Sequence, residues 1–281
     1  MTRHAKPKFD LPRPDESFAS FMGLPAVYLQ DGRKSFDGKE VLKDVDLLIN
    51  KGEVVSIIGP SGAGKSTLLR CLTLLDRFDK GTLSYGNIAV SKAGEDGVIS
   101  YDAAAMQQAR MRFGIVFQNF NLFPHWSVMR NVTDAPCTVQ GRPREDVERQ
   151  ATELIARLGL TEHADKVPDE LSGGQQQRVA IARALCMSPR IIYFDEATSA
   201  LDPKLTADMH TLIRELAQDG MAVGIVTHEM GFAREVSDRV VLLLDGRIVE
   251  EGTPEQVIES PKDERTRTFL AKSIEDRKSV V

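Results

Sequence analysis

Eight consecutive residues, Gly59-Pro60-Ser61-Gly62-Ala63-Gly64-Lys65-Ser66, combine three glycines, a lysine and a hydroxyl at the spacing that a triphosphate requires. Gly59, Gly62 and Gly64 permit positive φ and let peptide N–H groups, with those of Ser61 and its neighbours, approach phosphate oxygens closely. Lys65 is expected to reach the β and γ phosphates of a nucleoside triphosphate. Ser66 is expected to offer its hydroxyl to Mg²⁺, and Thr67 to serve the α-phosphate. The competing reading of the same stretch is a Gly-rich turn between a strand and a helix.

The flanking elements fit the first reading. Val54-Val55-Ser56-Ile57-Ile58 is a β-branched run of the kind buried on both faces of a parallel sheet, and it leads straight into the loop. The helix opening at Lys65 then turns the positive end of its dipole toward the phosphates. A second such run, Arg190-Ile191-Ile192-Tyr193-Phe194, ends in Asp195-Glu196. Asp195 at a strand end beside a phosphate loop is expected to orient water on Mg²⁺, and Glu196 to act as general base on the attacking water. Either carboxylate also fits the N-cap of a following helix.

Leu171-Ser172-Gly173-Gly174-Gln175, followed by a helix bearing Arg178 and Arg183, lies about a hundred residues downstream of the phosphate loop. Its glycines open a helix whose free N–H groups, with Ser172, make a second anion-binding end. The pair of motifs resembles the ATP-binding subunits of ABC transporters. That resemblance implies an α/β phosphate-loop NTPase fold, with a RecA-like core, an antiparallel β subdomain and an inserted helical subdomain. It also implies that residues 172–175 cap the γ-phosphate of ATP held by Lys65 of a second copy. Arg178 and Arg183 fit ordinary surface charge equally well.

Four further positions follow the family's order. Gln118, after the apolar run Ile115-Val116-Phe117, matches the glutamine that contacts Mg²⁺ or water and senses the membrane partner; an ordinary polar strand end is the other reading. Asp202 in Ser199-Ala200-Leu201-Asp202 matches a residue that communicates across the dimer, and it also fits a helix N-cap before Pro203. His228 follows an apolar strand over 222–227 and matches the switch histidine that touches the γ-phosphate. Phe36, in Lys34-Ser35-Phe36-Asp37-Gly38, matches the aromatic that stacks on adenine; Tyr28 competes but reads as part of a first strand over 26–29.

Composition bounds these readings. The chain has 281 residues, enough for one large α/β domain, and a formal net charge of -5 gives no general drive toward nucleic acid. Cys71, Cys137 and Cys186 are scattered without metal spacing, which predicts a reducing cytoplasm. No run approaches the roughly 18 apolar residues of a membrane span, and the N-terminus leads into no signal-peptide core. A transporter built on this chain needs another chain for its channel.

The expected division is a loosely ordered, Pro-rich extension over 1–25, an ATPase domain over 26–254 and a helical tail over 255–281. A helical subdomain is expected near 119–187, where Val147, Ala151, Leu154, Ile155 and Leu158 share a helix face that Gly159 stops. The stretch after Gly252 has room for one or two helices, which predicts no separate regulatory domain.

Val116-Phe117-Gln118-Asn119-Phe120, Thr227-His228-Glu229-Met230-Gly231 and the tail around Ser260-Pro261-Lys262 are similar to the polar amino acid importer subfamily. This likeness implies ATP hydrolysis at the cytoplasmic face of a bacterial membrane, a second ATPase subunit, transmembrane permease subunits and, indirectly, an extracytoplasmic solute-binding protein. It leaves open the solute and whether the two ATPase copies are identical. Trp126 stands where a smaller apolar residue is common in the subfamily. Phe120, Leu122, Phe123 and Trp126 are too apolar for a loop facing water, so they either line a groove for the permease or pack the insertion on the core. An ABC-type ATPase of DNA repair or translation is the alternative, but the first normally carries a long coiled coil between the motifs and the second two cassettes per chain.

Overall fold

The computed structural model describes residues 23–93, 99–196 and 203–278. The chain begins with two long paired strands, β1 (Val27–Phe36) and β2 (Lys39–Ile49), and then enters β3 (Val54–Ile58), all five of whose residues are buried. After the phosphate loop come α1 (Lys65–Leu72), β4 (Lys80–Tyr85), β5 (Ile88–Ala93), β6 (Ile99–Tyr101), α2 (Ala103–Arg110) and β7 (Phe113–Val116). The helices α3 (Val128–Thr138), α4 (Arg144–Arg157) and α5 (Gly173–Cys186) intervene before β8 (Ile191–Asp195). The chain continues through α6 (Pro203–Gln218), β9 (Ala222–Val226), α7 (Met230–Val236), β10 (Arg239–Leu244), β11 (Arg247–Gly252) and α8 (Glu264–Lys278).

The strands form two sheets. One is the antiparallel array β2-β1-β4-β5-β6; the other runs β11-β10-β3-β9-β8-β7, parallel except for β11 at its edge. Side chains of the parallel strands alternate between the two faces of the sheet, as a pleat with both faces covered requires. Val54, Ile192, Phe194, Val223 and Ile225 face α6, α7 and the inserted helices. Val55, Ile57, Ile191, Tyr193 and Val226 face α1 and the antiparallel sheet. The Tyr85 hydroxyl donates to Leu72 O at 2.5 Å and lies 3.1 Å from that of Tyr193, so the polar tips inside the core on this second face satisfy each other.

Where α3, α4 and α5 meet, the apolar side chains of the insertion join the core on the α6–α7 face of the parallel sheet. On α4 the buried residues are Val147, Ala151 and Ile155, the stripe expected of a helix packed on one side, and Gly159 beyond it has a φ of 68°. Burial pushes the Cys71 thiol up to about 12 and that of Cys186 to about 11, which leaves both as core side chains. Within β11, Glu250 accepts the backbone N–H groups of Lys262 and Asp263 at 2.7 and 3.2 Å and fastens the segment that leads into α8. Among the described residues, no helix is long and apolar enough to cross a membrane.

Candidate active site

The parallel register brings the chemical residues to one edge. Val226 pairs with both Ile57 of β3 and Asp195 of β8, while Val116 of β7 pairs with Phe194. The phosphate loop, Asp195-Glu196, His228 and Gln118 therefore leave the sheet at its carboxyl edge, where open α/β sheets hold their ligands.

Gly59 leaves β3 with a φ of 153°, and a Cβ there would stand 2.2 Å from Leu243 O of the neighbouring strand. No side chain fits. Gly64 caps α1 with a φ of 103°, and the Gly246 N–H donates to Ala63 O at 3.1 Å, pinning the loop to the β10–β11 turn. Ser61, Gly62 and Ser66 are exposed around this loop and Thr67 is half-buried.

Lys65 is buried, and its Nζ donates to the carbonyls of Gly59 and Pro60 at 2.7 and 3.0 Å. Burial lowers its pKa against the opposing pull of the Glu196 and Asp195 carboxylates. Burial raises the pKa of Asp195, Glu196 adds to the rise, and Lys65 counters it. Two carboxylates share one buried ammonium, so the edge has more acidic than basic character. Oxygen donors from Ser66, Asp195 and Gln118 suit a hard divalent cation that keeps several of its waters.

Glu196 takes the left-handed conformation, φ 49°, while its N–H donates to Val226 O at 2.9 Å. That costs on the order of 1 kcal/mol and turns the carboxylate out of the strand line. Glu196 Oε1 stands 3.6 Å from His228 Nδ1. Thr227, buried beside it, accepts the Glu229 N–H at 3.0 Å and forces the turn that presents His228 at the surface. Gln118 is exposed two residues past β7.

Residues 172–175 stand elsewhere, on the inserted helices. Ser172 is the N-cap of α5: its Oγ accepts the Gln175 N–H at 3.4 Å, and Gln175 Oε1 accepts the Ser172 N–H at 2.8 Å. This reciprocal box orders the turn, in which Ser172 and Gly173 are exposed and Gly174 is buried; the N–H groups of Gly173 and Gly174, at the first turn of a helix, have no acceptor within the helix itself. Phe36 ends β1 with 44% of its surface exposed and Lys34 Nζ 5.1 Å from its ring centre, whereas Tyr28 is 4% exposed and packed in the core. Of the two aromatics, only Phe36 is open to a base. Asp202, with Ser199, Ala200 and Leu201, lies outside the described residues, as do residues 1–22 of the N-terminal extension.

The apolar run after Gln118 divides. Phe120 and Leu122 pack on the core of the insertion, while Phe123, 50% exposed, stacks on Trp126 with ring centres 4.1 Å apart. Arg130 lies over the Trp126 ring at 4.3 Å. Asn131 holds this loop in shape: its Oδ1 accepts the Phe123 N–H, and its Nδ2 donates to the carbonyls of Phe123, Trp126 and Ser127. The roles of Asn131, of Asp79, which accepts from Lys34 Nζ and the Ser35 N–H beneath Phe36, and of Arg183 carry no signal in the sequence. Each acts through tertiary contacts.

A phosphate loop feeding a helix, two carboxylates at the next strand's end and a histidine facing one of them, all on a parallel sheet, define a phosphate-loop nucleoside triphosphatase. The family model described as ABC transporter matches residues 42–199. The arginine transport ATP-binding protein ArgV of Corynebacterium glutamicum is 48% identical over 240 residues, 85% of this chain and 94% of that protein. The L-cystine transport system ATP-binding protein TcyN of Escherichia coli is 47% identical over 249 residues, 89% and 98% of the two chains. Among solved structures, cbiO1 from Clostridium perfringens, part of the ABC transporter complex cbiONQ, has a TM-score of 0.74 at 26% identity, covering 89% of this chain and 93% of its own. The ATP-binding cassette MJ0796, dimeric in a post-hydrolysis state with ADP and Pi, has a TM-score of 0.70 at 36% identity and covers 82% and 99%. This chain belongs to the ABC transporter family and is one of its ATPases.

Proposed function

We propose that the chain powers import of polar amino acids or closely related solutes, as a peripheral ATPase on the cytoplasmic face of a bacterial membrane. The observation that carries the chemistry is the Glu196–His228 pair, 3.6 Å apart, beside buried Lys65. Glu196 takes a proton from water as the water oxygen bonds to the γ-phosphorus and the bond from that phosphorus to the ADP oxygen breaks. Lys65 and the loop N–H groups stabilise charge on the phosphoryl oxygens, and His228 orients the γ-phosphate. Mg²⁺, held by Ser66 and Asp195 with Gln118 nearby, supplies charge neutralisation when bound.

In this reading two copies sandwich ATP, with Lys65 of one facing residues 172–175 of the other, and Asp202 passing the state of one site to the next. The capped start of α5, with Ser172 and Gly173 exposed, supports that arrangement, because it can offer an anion site to a neighbour. The Phe123–Trp126 stack offers a contact for the permease. The names of the arginine and cystine relatives support a polar amino acid as solute. None of these relatives favours the non-transport alternative.

Uptake of a panel of labelled amino acids, in cells carrying the native chain or Glu196→Gln, tests the proposal. Loss of uptake of at least one polar amino acid in the variant is the expected result. An unchanged panel, with the chain purifying on ribosomes or nucleic acid, contradicts it.

A further inference from the structure

His163 closes the helical turn Thr161–His163 in the loop before α5, and its Nε2 lies 2.9 Å from Gln175 Nε2. The orientation of the Gln175 amide is set independently, since its Oε1 accepts the Ser172 N–H at 2.8 Å. The NH₂ end therefore faces His163, and an NH₂ group only donates. His163 Nε2 must be the acceptor, which assigns the ring as the neutral tautomer with its proton on Nδ1. That Nδ1 is buried with no hydrogen-bond partner among the described residues. The ring keeps a desolvated N–H in order to present Nε2 to Gln175.

The backbone around His163 is fixed from the other side. Ala164 O accepts the Met129 N–H at 2.9 Å and Lys166 O accepts the Val128 N–H at 2.8 Å, both from the first turn of α3. The loop that carries His163 is thus clamped to α3 while its ring bears on the first turn of α5.

We propose that His163 is a positioning residue for the anion-binding end of α5. It holds the Gln175 amide in the one orientation that caps Ser172, and so presets Ser172 and the first N–H groups of the helix for a neighbour's nucleotide. The preset geometry of α5 is a property of the single chain; its use by a second copy rests on the two-copy reading above.

Two readouts test this in the Glu196→Gln background, with His163→Leu removing the acceptor and His163→Gln returning one near the position of Nε2. In the monomer, hydrogen exchange of the Ser172 amide is expected to quicken roughly fivefold in His163→Leu and to return to the parent rate in His163→Gln. In ATP–Mg²⁺ titrations of dimer formation, the midpoint is expected to rise roughly fivefold in the leucine variant and to recover with glutamine, while ATP binding by the monomer stays constant. Unchanged exchange in His163→Leu overturns the proposal, and so does failure of glutamine to restore it. If His163→Leu does not fold, slower exchange of Ser172 in His163→Gln than in His163→Ala supports the proposal and equal rates overturn it. A parent that binds ATP without dimerising counts against the two-copy reading alone, and the exchange measurement then still decides the role of His163.

Discussion

Arg183, on the helix that begins at Gly173, donates to Phe120 O at 2.7 Å, and its second terminal nitrogen reaches Asn121 O at the same distance. Phe120 and Asn121 are consecutive left-handed residues, φ 58° and 48°, immediately after Gln118 and Asn119. Such a pair is unstable without restraint, and the guanidinium supplies it with two charge-assisted bonds. The helix that in the proposed sandwich faces a second copy's nucleotide is thereby joined to the segment that carries Gln118 and the Phe123–Trp126 stack. Burial lowers the pKa of Arg183, yet no carboxylate pairs with it among its described contacts; the backbone carbonyls are its partners.

Arg183→Met keeps the apolar stem and removes both bonds. The expected result is a drop of roughly tenfold in kcat for ATP hydrolysis with KM within about twofold, because Gln118 loses its place while the phosphate loop does not. Steady-state kinetics at saturating Mg²⁺ measure this; an unchanged kcat shows that the left-handed pair holds itself.

Trp126→Ala removes the ring on which Phe123 stacks and the platform under Arg130. Co-purification with the permease is expected to weaken by at least about tenfold, as for an aromatic anchor, while ATP affinity of the free chain stays the same. Equal recovery of the complex assigns these rings to folding of the insertion.

Phe36→Ala is expected to raise the Kd for ATP by about three- to tenfold through loss of stacking, as measured by titration calorimetry. Tyr28→Phe, at a buried position whose hydroxyl donates to Gln30 Oε1 at 3.1 Å, is expected to leave it unchanged. The reverse outcome exchanges their roles.

The raised pKa of Asp195 has a consequence for stability in the absence of nucleotide. Burial, reinforced by Glu196, makes the folded chain hold this proton more tightly than the unfolded chain. Stability is therefore lost as pH rises from the ordinary carboxylate value of 3.8 through the raised one, and the loss is complete above it. Asp195→Asn, which carries no charge in either state, is expected to be more stable than the parent at pH 7 by urea denaturation, with the gap closing as pH falls toward 4. A gap independent of pH contradicts the assignment.

Much of the site was legible because its elements announce themselves locally. β3 and β8 read as buried strands from unbroken apolar runs, and the residues at their ends follow from the geometry of a parallel sheet. The same uniformity hid the strand order: a strand apolar on both faces gives no alternation to fix its neighbours or its register. The run after Gln118 read as apolar throughout, yet only the fold separates Phe120 and Leu122, which pack inward, from Phe123 and Trp126, which do not. The partners of His163, Asn131 and Arg183 were illegible for one further reason. A side chain that satisfies a distant amide or carbonyl has no sequence period, only a position in space.

In the proposed sandwich, one ATP joins Lys65 of one copy to Ser172 of another. The direct measurement is the mass in solution of the Glu196→Gln chain with and without ATP and Mg²⁺, with the Glu196→Gln/Ser172→Arg double variant as control. The account predicts a dimer that forms only with ATP and disappears in the double variant. A chain that binds ATP and remains a monomer, or a dimer indifferent to Ser172→Arg, contradicts it.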